Sequence, residues 1–236
     1  MWRTFGITHH WSRVLAILVL LLASVTAFAV DTKKELEQRL AVLVERTALS
    51  EKDAEAWFDR GVVEHTLTLV YGASLSNDAV TSFETSYSLK KDPVTMAYLG
   101  SAWTLIGRDS KNPIEKIDGV MKGCEFLDAA VKEAPNNLVV RRIRYENNIA
   151  LPDIFERAQL VEADVDYLLR VYSKDAKAFE GLYDPAHVFL TKARLLGWAG
   201  DWRKAQQYAQ LGLKIAVDPE VKQQLQDFLD GKEPKQ

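Results

Sequence analysis

After position 31, apolar residues recur at three- and four-residue spacing along almost the whole chain and almost nowhere alternate one by one. That periodicity predicts helices and little strand. The first spans 32–48, with Leu36, Leu40, Leu43 and Thr47 on one face and Thr32-Lys33-Lys34-Glu35 spelling a capping box. Further helices are predicted near 53–71, 77–90, 93–107, 113–134, 138–150, 152–173, 185–199, 202–217 and 219–230.

Proline sharpens these boundaries. Asp92-Pro93, Asn112-Pro113, Asp184-Pro185 and Asp218-Pro219 each pair an N-capping side chain with a ring suited to the first helical turn, where the missing N–H costs no bond. Pro152 is expected to open another helix, and Pro135 to close the long one that starts at Pro113. Residues 173–185 form the longest irregular stretch, and 232–236 read as a frayed, disordered tail.

The helices group in pairs. In AGDWRKAQQYAQLGLKIAVDP, residues 199–219, Gly200-Asp201 makes a tight turn and Trp202 begins a helix whose Ala205, Ala209 and Gly212 share a face. On the helix before it, Phe189, Ala193 and Leu196 share a face. Small residues allow two antiparallel helices to approach closely, and bulky ones fill the space beside them. Leu99-Gly100 and Trp103, followed by Gly123, Leu127, Ala130 and Pro135, form a second copy; Trp57 and Gly61, then Ala79, Phe83 and Ser86, suggest an earlier one. The hairpin from Leu138 to Tyr172 fits poorly, because either helical register puts one or more of Arg141, Arg144, Asn147 and Asn148 on the packing face.

This pattern resembles the tetratricopeptide repeat (TPR) superfamily, in degenerate form, over most of residues 30–231. The resemblance implies an all-α fold, an α-α superhelix of stacked hairpins that uses its surface to bind proteins or peptides. The competing arrangement is an ordinary helical bundle. Order in space separates them: stacked repeats touch only their neighbours, whereas a bundle joins distant helices.

The N-terminus reads differently. Arg3 and Arg13 precede an uncharged run beginning at Val14, and small residues stand at Ala27 and Ala29 before charge resumes at Asp31. These are the parts of a secretory signal, so residues 1–29 are expected to be cleaved after Ala29, placing the chain in the periplasm or outside the cell with no stable membrane insertion. The alternative is an inner-membrane anchor through residues 14–30. Loss of Arg3 and Arg13 takes the formal net charge from −3 to about −5, which argues against nucleic acid as a partner. The single cysteine, Cys124, rules out an internal disulfide and is expected to be a buried, inert thiol.

Chemistry-bearing motifs are scarce. Beyond the signal only His65 and His187 remain, on different helices, and no HExxH, CxxC, GxSxG or phosphate-cradling glycine loop occurs. Neither a metal nor a cofactor is expected. Glu162, Asp164 and Asp166 cluster, but residues two apart on a helix point in different directions, so they are expected to form a solvated face.

The segment VVRRIRYENN, residues 139–148, is unusually polar for a helix covered on both sides. Arg141, Arg142, Arg144 and Tyr145 could line a groove and pair with carboxylates of a bound chain, or could form ion pairs with Glu156, Glu162 or Asp164; the ion pairs are the favoured reading. With Tyr98, Ser101, His187, Arg194 and Trp198 on first helices of hairpins, they make the candidate partner-binding set. The expected function is an exported, non-enzymatic scaffold for a peptide or envelope protein. An exported helical hydrolase and a permanent structural subunit of an envelope complex are the alternatives.

Overall fold

A computed structural model describes residues 32–232. The expected signal and its cleavage site, and the tail beyond Lys232, lie outside the described residues. Within them the chain forms ten α-helices and no strand: α1 (Lys33–Leu49), α2 (Ala54–Tyr71), α3 (Ser76–Leu89), α4 (Pro93–Asp109), α5 (Pro113–Glu133), α6 (Leu138–Asn148), α7 (Ala158–Lys174), α8 (Ala186–Trp198), α9 (Trp202–Ile215) and α10 (Pro219–Leu229).

Local chemistry sets most of the starts. Thr32 and Glu35 close the capping box on α1. Asp92 Oδ1 accepts from the Val94 and Thr95 amides at 2.7 and 3.2 Å, Asn112 Oδ1 from Ile114 at 3.0 Å, and Asp218 Oδ1 from Glu220 at 2.8 Å, each just before a proline at the helix start.

Pro152 departs from expectation. It opens no long helix but precedes a single 3-10 turn, Asp153–Phe155, which Glu156 ends in the left-handed region at φ 53°. The start of α7 is postponed to Ala158. The reason is tertiary: the turn brings Arg157 back over the preceding hairpin, where its guanidinium grips Asp128 of α5 at 2.6 and 2.8 Å and Asn148 of α6 at 3.1 Å. A continuous helix from Pro152 would break these three bonds. A smaller shift occurs at Pro185, where the helix begins one residue later, at Ala186.

The packing answers the question of order. Every helix makes substantial contact with its chain neighbours, and beyond those the substantial contacts join α2 to α4, α4 to α6 and α8 to α10. Among the described residues no substantial contact closes the two ends on each other. Leu127 packs beside Gly100 of the adjacent helix, and Trp202 lies against Gly197 and Phe228, again on neighbouring elements. The chain is therefore a stack of hairpins α2/α3, α4/α5, α6/α7 and α8/α9, capped by α1 and α10.

The hairpins α2/α3, α4/α5 and α8/α9 are drawn together at small residues. A Cβ on Gly100 would come within 2.8 Å of the Gly123 carbonyl oxygen, and one on Gly107 within 2.7 Å of the Lys116 carbonyl oxygen, so α4 and α5 run backbone to backbone. Large side chains fill in around such contacts. Phe83, fully buried, occupies the space above Gly61, and Leu127 and Leu225 are likewise buried completely.

Candidate functional site

All the candidate residues lie on first helices of hairpins, α4, α6 and α8. The structure distributes them unequally. Ser101, Arg142, Arg144, Tyr145 and His187 are buried, Tyr98, Arg141 and Arg194 are partly exposed, and only Trp198 is openly exposed, at 43%.

The arginines of α6 are engaged within the stack. Arg144 donates from Nε and Nη2 to the two carboxylate oxygens of Asp164, at 2.7 and 2.9 Å, and from Nη1 to Asp128 at 3.2 Å. Arg141 donates to the same Asp164 at 2.6 Å and lies over the Tyr167 ring. Asp164 is wholly buried and so departs from the solvated face expected of the acidic cluster, whereas Glu162 and Asp166 keep exposed side chains. Glu162 and Asp166 turn the other way and hold Lys192 of α8 at 3.3 and 2.7 Å. The three acids thus bind cations on two neighbouring helices, because a helix offset of two residues separates their directions.

A second set of polar groups forms a seam between successive first helices. His65 Nε2 of α2 lies 2.9 Å from Ser101 Oγ of α4; Ser101 and Thr104 donate to Asn147 Oδ1 of α6 at 3.2 and 2.7 Å; and Asn147 Nδ2 donates to the Ile143 carbonyl at 2.8 Å. Glu64, one residue before His65, accepts from Arg60 at 2.8 Å and Ser82 at 2.7 Å. From the sequence, Ser101 alone was a candidate in this seam. The available signal was the recurrence of polar side chains at buried helical positions, which the hydrophobic pattern by itself does not interpret.

The seam continues towards α8 with looser pairing. Arg142 Nε stands 3.3 Å from Glu146 Oε2 without hydrogen-bond alignment, and the guanidinium lies 4.8 Å above the Tyr183 ring. The Tyr183 hydroxyl and His187 Nε2 have no hydrogen-bond partner among the described residues. Burial works against the Arg142 cation, but Glu146 and the surrounding tyrosines more than offset it and hold its pKa above the ordinary value. Burial raises Glu146 and Glu64 and pushes His65 down to about 4 and His187 down to about 3, the latter helped by the charges of Arg142 and Arg194. Both histidines are therefore neutral inside the fold near pH 7.

The accessible part of the candidate set is small. Tyr98 meets Phe58 and His65 in T-shaped contacts, Arg194 reaches Gln224 of α10 at 3.3 Å, and Trp198 ends α8. Cys124 is buried, and burial raises its thiol pKa, as befits an unreactive position. Among the described residues no cluster of three metal-ligating side chains occurs, and no helix is long and apolar enough to cross a membrane.

Comparison with solved structures places this stack. A thermophilic TPR protein from Thermus thermophilus superposes with a TM-score of 0.62 at 15% identity, covering 93% of this chain and 98% of that one. The chain has a TPR-like fold. YrrB, described as a TPR protein with an unusual peptide-binding site, is similar at a TM-score of 0.46 and 16% identity, over 82% of this chain and 84% of that one. No family model and no curated protein matches the sequence. The all-α superhelix of stacked hairpins expected from the repeats is thus the observed architecture.

Proposed function

We propose that this chain is an exported TPR-like scaffold that docks a protein or peptide partner and performs no chemistry of its own. The observation that carries the reading is the architecture: hairpins stacked in chain order, with interior charges paired between helices, and with Trp198 exposed and Arg194 partly exposed along the first-helix side. Such a surface recognises by shape and polar complementarity. The N-terminal pattern of Arg3, Arg13, the apolar run from Val14 and Ala27-Phe28-Ala29 supports export to the periplasm or the medium.

The test uses residues 30–236 as bait. Partners crosslinked in envelope extracts are identified and then titrated singly against wild type and a Trp198→Ala/Arg194→Ala variant. A partner whose affinity drops tenfold or more in that variant supports the reading; partners bound equally by both forms remove this face from it. N-terminal sequencing of the protein recovered from cells checks export, a start at Val30 being expected.

A further inference from the structure

Three arginines stand close together on α6, and the stack supplies acceptors for only two of them. Arg144 uses Nε and Nη2 on Asp164 and Nη1 on Asp128, and Arg141 uses Nε on the Pro135 carbonyl and Nη1 on Asp164. Arg142, only 6% exposed, donates no hydrogen bond to any described residue. Its Nε is shut off from solvent, whereas the two Nη ends are not.

The surroundings are polar and equally short of partners. The guanidinium covers the Tyr183 ring, whose hydroxyl is unpartnered, and its charge helps to depress the pKa of His187, whose Nε2 is unpartnered too. The nearby acids are already placed. Glu146 flanks Nε at 3.3 Å off the hydrogen-bonding direction; Asp218, 4.0 Å from His187 Nε2, caps α10; and Asp184 accepts the amides of Ala186, Val217 and Asp218. A guanidinium carries only donors and cannot shed its charge, so the group missing at the Nη ends is an acceptor, and an anion with two oxygens fits that fork best. Arg144 shows the arrangement within this same helix: one guanidinium holds one carboxylate through Nε and a second through Nη1.

We propose that Arg142 is the seat of one carboxylate of the docked polypeptide, a chain end or an acidic side chain, taken by the Nη ends while Glu146 stays beside Nε. Of the two roles open to the α6 arginines, ion pairing within the stack therefore belongs to Arg141 and Arg144, and recognition to Arg142. The inference rests on the scaffold reading, but the seat can be probed without the partner.

Nuclear magnetic resonance titration of residues 30–236 with N-acetyl-glycine, which carries a chain-end carboxylate, reads the Arg142 Nε–H signal directly. Saturable shifts are expected there and at Tyr183 and His187, and N-acetyl-glycinamide, which lacks the charge, is expected to leave them in place. Binding is expected to weaken roughly tenfold in Arg142→Gln/Glu146→Gln, which strands no buried charge, and to tighten roughly threefold in Glu146→Gln, where the competing carboxylate is gone. Inorganic phosphate is expected to bind more weakly than N-acetyl-glycine, because Glu146 repels a dianion more than a single carboxylate. Absence of saturable shifts, equal shifts with the amide, unchanged binding in the two variants, or tighter binding of phosphate, which would mark a site for free anions, would each overturn the assignment while leaving the scaffold reading to its own partner titration.

Discussion

Arg144 of α6 and Asp164 of α7 form a bidentate ion pair, at 2.7 and 2.9 Å, beside an apolar cluster that includes Val161, Val165 and Leu168. Asp164 is fully buried and also holds Arg141. This pair explains how a helix with three arginines can sit between two others: Arg141 and Arg144 meet a carboxylate of the next helix, and Arg142 stands beside Glu146 of its own.

Removing one side of the pair is therefore costly. Asp164→Ala is expected to destabilise the fold by about 3–5 kcal/mol, because the buried Arg144 loses its bidentate partner and keeps only the 3.2 Å bond to Asp128, while Arg141 loses its carboxylate. Urea denaturation followed by circular dichroism measures it. The double change Arg144→Met/Asp164→Leu is expected to recover most of that loss, since it leaves no uncompensated charge at the buried position and Arg141 retains the Pro135 carbonyl and the Tyr167 ring.

Gly100 gives a prediction of opposite sign to helix propensity. Alanine in mid-helix is worth about 1 kcal/mol over glycine. At Gly100 the added methyl would meet the Gly123 carbonyl at 2.8 Å and the Leu127 amide nitrogen at 3.0 Å, both backbone atoms that cannot swing aside. Gly100→Ala is expected to lower stability by about 1–3 kcal/mol, the range of overpacked cores. A melting temperature at or above wild type would show that α4 and α5 are not in backbone contact.

Acidification should loosen the seam. The folded-state pKa values of about 4 for His65 and about 3 for His187 lie below the 6.5 of an unhindered imidazole, so the unfolded chain binds protons first. Their contribution is fully present above pH 6.5 and falls by about 1.4 kcal/mol per pH unit per histidine as the pH drops towards the folded values. Glu64 and Glu146, whose pKa values burial raises, act in the other sense as the pH falls. Denaturation midpoints between pH 7 and 5 are thus expected to fall steeply, and less steeply in His65→Gln/His187→Gln.

Core and surface positions on one helix separate packing from propensity. Leu127→Ala, at a site with no exposure, is expected to cost about 2–5 kcal/mol. Ile114→Ala, 70% exposed on the same α5, is expected to stay within about 0.5 kcal/mol of wild type. Equal effects would contradict the burial pattern of α5.

What the sequence determined by itself was local and periodic. Three-and-four spacing placed the helices, Asp92, Asn112 and Asp218 placed several of their starts, and Gly100, Gly123, Ala205 and Gly212 marked where pairs of helices approach, because capping and close packing depend on residue type within one turn. Tertiary structure alone decided the rest. It postponed α7 past Pro152 so that Arg157 could reach Asp128, turned Asp164 inward and its neighbours outward, and joined His65, Ser101 and Asn147 from three helices into one seam. These outcomes depend on distances between groups 20 to 46 positions apart in the chain, and only the angle and register of stacked hairpins can set such distances.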